Sequence, residues 1–291
     1  RAIRGEVAEE VARLRRDEGV VPGLAVVLVG SDPASEVYVR SKARACREAG
    51  MDDRTVHLPE DVSQEELYGV IDGLNADPGV HGILVQLPLP AHLHPKPVLE
   101  RIHPAKDVDG FHPLNVGRAF IADPRGFVPA TPAGIMELLR REEVPTHGRH
   151  AVIVGRSLIV SKPLMSLLMA PGPNASVTLV HRHTPDIAPF TRMADILVVA
   201  VGKPGLVTAD MVKPGAVVID VGVSRVPDDA DPRGYRIVGD VDFAGVSEVA
   251  SAITPVPGGV GPMTITMLMR NTVEAARRLA RRARDGAAAA P

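Results

Sequence analysis

Short Val/Ile-rich runs, bounded by turn residues and separated by helix-length segments, constrain this chain more than any other feature. GLAVVLVG (23–30) and GILVQLPL (82–89) stand in the first half, with AVIVG (151–155), SVTLV (176–180), DILVVAVG (195–202) and AVVIDVG (216–222) in the second. Unbroken apolarity points to strands covered on both faces, and helical spacers point to crossover connections. The pattern therefore requires mostly parallel sheets in two successive α/β units. In the first unit the spacing predicts helices near 2–18, over the segment from Tyr38 to Gly50 and near 63–76, with a further strand before Leu58. The proline-rich stretch from Pro88 to Pro132 predicts a mostly irregular connection, and a loop of that length is usually functional or a domain boundary. A helix at about 132–142 restarts the alternation, and the Pro/Gly loop TPVPGGVGPMT (254–264) leads into a last helix over roughly 263–283.

At 291 residues the chain has room for two packed domains. With 45% hydrophobic residues and a net charge of -2, it has the composition of an ordinary globular protein, with no charge-driven reason to bind nucleic acid or a membrane. The single cysteine, Cys46, excludes an intramolecular disulfide framework and a cysteine-based zinc site, and it suits a reducing compartment. No apolar run reaches the ~18 residues of a membrane span. The opening RAIRGEVAEEVARLRR is charged and periodic rather than signal-like, so a cytoplasmic protein is expected. The tail GAAAAP is expected to fray, and the basic run RRLARRAR (277–284) reads either as an interaction patch or as cations complementing a helix dipole. The histidines form no H-x-x-x-H or Cys/His cluster, so no metal site is expected, and the G-x-S-x-G elbow of a serine hydrolase is missing.

Within YVRSKARACREAG (38–50), helical periodicity puts Tyr38, Lys42, Ala45, Cys46 and Ala49 on one stripe, with Arg40, Arg44, Arg47 and Glu48 opposite. Lys42 is then the only ionised group on the face that should pack inward. Lysines are scarce, six of the 33 lysines and arginines, and burial can lower a lysine's pKa toward neutrality where a guanidinium stays charged. Two readings stand. The stem lies on apolar surface with the amine in water, or the amine shares a cleft with the Tyr38 phenol one turn away.

Gln86 stands among aliphatic residues at the end of GILVQLPLP, where a buried amide must find partners; it could orient an amine like that of Lys42 or bond nearby loop backbone. KDVDGFHP places Asp107 and Asp109 two apart. As a calcium loop it fails, because the later acidic positions are Pro113 and Arg118, and as a phosphoryl-transfer nucleophile it lacks a preceding apolar strand. An Asx turn and a carboxylate aimed at a ligand both remain. AVIVGRSLIVSKPL reads as strand, glycine turn and helix, where backbone N–H groups could hold a phosphate, although Ser157 and Val160 take the later glycine positions of G-x-G-x-x-G. Glycine after a strand is also the default turn residue. Arg156 directly after Gly155, and HRHT (181–184) after the next strand, strengthen the nucleotide reading. Arg182 at the ribose-recognising position suggests a 2′-phosphate, hence NADP.

The blocks PASEVYVRSKARACREAG, GILVQLPLP, PAKDVDGFHPLNVGR, PATPAGI, VGRSLIVSKP, ADILVVAVGKPG, VVIDVG and ITPVPGGVGPMT cover nearly the whole chain in one family's order. In them the chain closely resembles the bifunctional methylenetetrahydrofolate dehydrogenase/methenyltetrahydrofolate cyclohydrolases. The resemblance implies two reactions in one cleft: hydride passes from methylenetetrahydrofolate to NADP+, then water opens the methenyl cation to 10-formyltetrahydrofolate, a step of one-carbon metabolism and purine biosynthesis. It implies a folate-binding catalytic domain over 1–128, completed by a C-terminal helix at 262–291, and a Rossmann-like NADP-binding domain over 129–261. These two α/β domains would flank the cleft, in a homodimer. On matching positions, Tyr38 and Lys42 would face the tetrahydrofolate substrate, Gln86 would hold the Lys42 amine and Asp109 would hold the pterin. Pro257 and Gly258 would line the folate site, and Gly155, Arg156, Ser157, Arg182 and Val223 would contact the dinucleotide. Two positions depart from the family pattern. Ser161 replaces a common glycine and is expected to crowd either cofactor approach or helix packing, and Ala130 replaces a cysteine without cost to chemistry built on Lys42.

Overall fold

The charged opening segment winds into α1 (Ala2–Glu18) because Ile3, Val7, Val11 and Leu14 recur at helical spacing and turn inward together. It is followed by β1 (Gly23–Val29), α2 (Pro33–Glu48), β2 (Asp52–Leu58), α3 (Gln64–Ala76) and β3 (Gly82–Val85). The structure, a computed structural model, describes residues 2–288. These elements open the first of two compact units, made of the chain up to Arg118, Pro124–Ala130 and the chain from Ile265 on; the second holds Ala119–Asp123 and Thr131–Thr264.

In the first unit the strands pair in parallel in the order β2-β1-β3. Ala25, Val27, Val29, Ile83 and Val85 pack with Leu67 and Ile71 of α3, while Leu24, Val26, Leu28 and Leu84 on the other face are buried as well. Two-sided burial explains the unbroken apolar runs. β2 is an edge strand, and Asp52, Asp53, Arg54 and His57 keep it from recruiting another. α2 starts where Asp32 accepts a hydrogen bond from Ser35 N (2.7 Å) and Pro33 enters the first turn; Ser63 and Glu66 form a capping box on α3.

One expectation needs correction and another needs refinement. The strand predicted over 82–89 stops at Val85; Gln86 N still donates to Val27 O (2.9 Å), but Pro88 and Pro90 have no N–H to continue a ladder. The stretch from Pro88 to Pro132 is mostly irregular, as expected, but it is not without helices. It contains α4 (Pro95–Arg101) and α5 (Pro113–Phe120) and runs into α6 (Ala130–Arg141). The prolines that suggested a loop open α4 and α5, where a missing N–H costs no helical hydrogen bond. Between these two helices Ile83 bridges Asp107 in parallel, with Ile83 N donating to Lys106 O (2.8 Å), so the DVDG segment lies beside β3.

The second unit continues with β4 (His150–Val154), α7 (Ser161–Met169), β5 (Ser176–Val180), α8 (Ala188–Thr191), β6 (Ile196–Val199) and β7 (Val217–Asp220). The hairpin strands β8 (Ser224–Pro227) and β9 (Tyr235–Val238), α9 (Phe243–Ser247) and β10 (Ala252–Ile253) follow, and α10 (Val260–Ala288), which from Ile265 on belongs to the first unit, completes the order. Its parallel sheet runs β10-β7-β6-β4-β5. Ala151, Ile153, Ile196 and Val198 face Ile135, Leu139, Leu164 and Leu168 of α6 and α7, whereas Val152, Val154, Leu197 and Val199 join Val207, Val212 and Val246 on the opposite face. Chain order reverses between β4 and β6, the switch point at which sheets of this Rossmann-like class present a ligand crevice at their strands' carboxyl ends. The antiparallel β8–β9 hairpin was not predicted, because VSRVPDDADPRGYRIV carries the Pro, Asp and Gly content of a loop.

α10 begins at Val260, earlier than the predicted 263, and the last residues of the tail GAAAAP, 289–291, lie outside the described residues. Much of the basic run is engaged within the chain. Arg270, Arg277 and Arg284 pair with Glu6, Glu10 and Glu18 of α1, so the two helices run in the same direction. Arg278 donates to the carbonyls of Arg125 and Pro124 and lies 4.8 Å over the Phe127 ring.

Candidate active site

Helical periodicity puts Lys42 on the buried face of α2, and the fold keeps it there. Lys42 is 8% exposed, with Ala45, Cys46 and Ala49 buried beside it; Tyr38 departs from the stripe at 39% exposure, and partial burial of its phenol pushes the pKa up. The Lys42 amine does not run out to open solvent. Its Nζ donates to Gln86 Oε1 (2.9 Å), while Gln86 Nε2 donates to Leu87 O (2.8 Å). An ammonium can only donate, so the amide must turn its oxygen to the lysine, and the bond to Leu87 O fixes that orientation. Burial pushes the Lys42 pKa down, against the opposing charge of Asp109. Burial also raises the Cys46 thiol to about 12, which removes it as a nucleophile at neutral pH.

The two aspartates of DVDG divide the readings left open for them. Asp107, 1% exposed, accepts hydrogen bonds from Phe111 N (3.2 Å), His112 N (2.8 Å) and Asn115 Nδ2 (2.8 Å). Asn115 in turn donates to Pro104 O (2.9 Å) and accepts from Phe127 N (3.3 Å), so Asp107 and Asn115 together fold the turn. Asp109 is the carboxylate whose charge reaches Lys42. It keeps partial exposure but is densely enclosed by protein, and burial raises its pKa to about 6, with Lys42 opposing and Asp107 adding to the shift. Neither the Asp107–Asn115 network nor its role in presenting Asp109 was read from sequence; D-x-D-G showed the turn but not which acid makes it.

In the second unit the glycine turn follows β4. Gly155 has φ +134°, and a Cβ on it would lie 2.5 Å from Ala200 O and 2.9 Å from Ser161 Oγ, so only glycine fits. Ser157 Oγ accepts from Val160 N (3.1 Å) and Ser161 N (3.2 Å), capping the start of α7. Ser161 is fully buried, which answers the earlier alternative: its side chain belongs to the helix packing against the turn. Arg156 and Arg182 are exposed, and Arg182 Nε donates to His183 Nε2 (3.2 Å). Arg182 lines a pocket of ≈ 400 Å³ with Val154, His181, Thr184, Val201 and Lys203, at the carboxyl ends of β4, β5 and β6. Val201 and Lys203 were not singled out from sequence, although the lysine after a glycine at a strand end was visible in AVGKPG. Val223, half exposed, follows β7. A glycine-only turn, a capped helix start and two cations at one pocket suit a phosphorylated dinucleotide. Pro257 and Gly258 are exposed in the loop before α10 and belong to the second unit, not to the one that holds Lys42, Gln86 and Asp109.

Among the described residues, no group of three or more His, Cys, Asp or Glu could hold a metal ion, and no helix is long and apolar enough to cross a membrane.

Residues 1–109 match the family model of the tetrahydrofolate dehydrogenase/cyclohydrolase catalytic domain, and residues 129–280 match that of its NAD(P)-binding domain. Bifunctional protein FolD 1 of Myxococcus xanthus (strain DK1622) is 71% identical over 277 residues, covering 95% of this chain and 94% of that protein. The solved bifunctional FolD methylenetetrahydrofolate dehydrogenase/cyclohydrolase of Campylobacter jejuni aligns with a TM-score of 0.90 at 48% identity over 95% of each chain. The Trypanosoma brucei enzyme, complexed with NADP cofactor and inhibitor, aligns with a TM-score of 0.91 at 43% identity over 95% of this chain and 94% of that one. With both domain models matched and relatives this similar along its length, the chain belongs to the tetrahydrofolate dehydrogenase/cyclohydrolase family.

Proposed function

We infer that the chain oxidises 5,10-methylenetetrahydrofolate to 5,10-methenyltetrahydrofolate with NADP+ and hydrolyses that product to 10-formyltetrahydrofolate. The observation that carries the assignment to residues is the buried Lys42 amine bonded to an orientation-locked Gln86, with Asp109 as its charged neighbour. When bound, NADP+ supplies the hydride acceptor. Lys42, already depressed by burial, loses its proton more readily still beside a methenyl cation, and the neutral amine then takes a proton from the water that attacks the methenyl carbon. Gln86 holds that amine in line, and the Tyr38 phenol flanks the folate. With a pKa of about 6, Asp109 is mostly ionised at neutral pH and accepts hydrogen bonds from the pterin amino and ring N–H donors, an orienting role.

Gly155, Arg156 and Ser157 hold the dinucleotide phosphates at the start of α7, Arg182 takes the 2′-phosphate and Val223 packs on the cofactor. Pro257 and Gly258 contact the folate. In this reading the chain comprises a catalytic domain of 1–128 with 262–291 and a cofactor domain of 129–261. A cytoplasmic homodimer that feeds purine biosynthesis is the setting we propose; a lone, buried cysteine is compatible with that compartment.

Absorbance tests the assignment, because the methenyl chromophore rises with dehydrogenation and decays with hydrolysis. Wild type should show both phases with NADP+. Lys42→Met should keep its fold and lose at least ~100-fold of the hydrolysis, the upper range for a general base being larger. Methenyl hydrolysis at the wild-type rate in that variant removes Lys42 from the reaction.

A further inference from the structure

Two acids with no role so far lie in the core of the second unit. Asp220, the last residue of β7, is 3% exposed and Asp240, just after β9, is 0%. Asp220 accepts from Gly222 N (2.9 Å) and Asp240 N (2.9 Å) at Oδ1, and from Val241 N (3.0 Å) at Oδ2. Asp240 works on the neighbouring strand. Its Oδ2 accepts from Val201 N (2.7 Å) and Gly202 N (2.9 Å), the turn that leaves β6. Its Oδ1 has no hydrogen-bond partner among the described residues and faces Gly222, where a Cβ would fall 2.4 Å from that oxygen and 2.3 Å from the carboxyl carbon. The turn after β7 can close on Asp240 only because residue 222 is glycine.

A buried carboxylate oxygen without a partner costs several kcal/mol, so ordinary core packing is a poor reason for an acid here. An apolar side chain could fill the same space, but it could not take two successive N–H groups on one oxygen while its other oxygen backs the next turn. Both turns stand at carboxyl ends of parallel strands. The turn after β6 carries Val201 and Lys203 of the pocket that holds Arg182, and the turn after β7 carries Val223.

We propose that Asp240 is a positioning residue for the dinucleotide: its carboxylate clasps the 201–203 turn to the 221–223 turn and so sets the spacing at which Lys203 and Val223 meet NADP+. The inference rests on the cofactor placement proposed above. Hydrolysis of supplied methenyltetrahydrofolate needs no hydride acceptor, so it reports on the fold and the folate site independently of the clasp.

The test is Asp240→Asn, assayed for the NADP+ KM and kcat of dehydrogenation and for hydrolysis of supplied methenyltetrahydrofolate, with Arg182→Ala in parallel against NADP+ and NAD+. The amide can present its oxygen to Val201 and Gly202 only by aiming its NH2 group at Gly222, whose backbone packs against the present Oδ1, and in the other orientation it loses both bonds, so the clasp loosens either way. We expect the NADP+ KM to rise five-fold or more, with hydrolysis changed less than two-fold. A smaller rise in KM overturns the proposal. So does parallel loss of both activities, with or without loss of fold, which would mark Asp240 as a core residue only. If Arg182→Ala weakens NADP+ more than NAD+ while Asp240→Asn is silent, the clasp alone fails; if both variants are silent, the cofactor placement fails with it.

Discussion

Lys42 lies within α2 beside buried alanines, and its amine finds an acceptor 2.9 Å away instead of running out along the surface. The inward face of Lys42 was legible because helical periodicity is local. Gln86 was legible as its partner only as one of two readings and through the family resemblance, and the charge of Asp109 beside it was not, since both lie more than 40 residues along the chain and nothing in their own segments states which way they point. The same site makes stability depend on pH. The folded-state pKa of Asp109 is raised to about 6 from the ordinary aspartate value of 3.8, so between those values the folded protein keeps a proton that the unfolded chain has lost. This group's contribution to stability therefore falls as pH rises through that window. Asp109→Asn is fixed in the neutral form and should gain on wild type as pH rises, by up to about 3 kcal/mol at pH ~7.5 from a shift of about two pKa units. The gain should vanish near pH ~4 and be accompanied by weaker folate binding. Urea unfolding of both proteins at the two pH values measures it, and an equal difference at both would contradict the raised pKa.

The turn between β4 and α7 shows how an element boundary can carry chemistry. A glycine after a strand is a weak signal in sequence, but the positive φ of Gly155 and the 2.5 Å approach of a Cβ to Ala200 O leave no room for a side chain. Gly155→Ala should lower stability by ~1–3 kcal/mol from backbone strain alone and weaken NADP+ strongly. Thermal melts and cofactor titration would read both effects; an alanine variant that melts and binds NADP+ like wild type would mean that the turn is not tight. Elements elsewhere were legible in proportion to their apolar periodicity. The central strands of both parallel sheets announced themselves because both faces are buried, while α4, α5, the two-residue β10 and the β8–β9 hairpin were not read from sequence. Proline reads as a loop residue until its position in a helix's first turn is known.

Over the whole chain, two α/β units are built from a three-stranded and a five-stranded parallel sheet, and the second unit carries the switch point between β4 and β6. The proposed dimer makes a direct prediction at this level. Sedimentation velocity should give about twice the 30.8 kDa chain mass, and a species that stays at the chain mass across the accessible concentration range would exclude it. What the sequence determined by itself is the apolar strands of the two parallel sheets and the long helices, the inward face of Lys42 and the glycine turn of a nucleotide fold, because side-chain periods of two and of about 3.6 and the constraints on proline and glycine act within a few residues. Tertiary structure alone decided which aspartate of DVDG reaches Lys42, which atom of Gln86 meets it and how Asp240 spans two turns. Each of those contacts joins segments tens of residues apart, and their meeting depends on strand pairing and packing that no local pattern encodes.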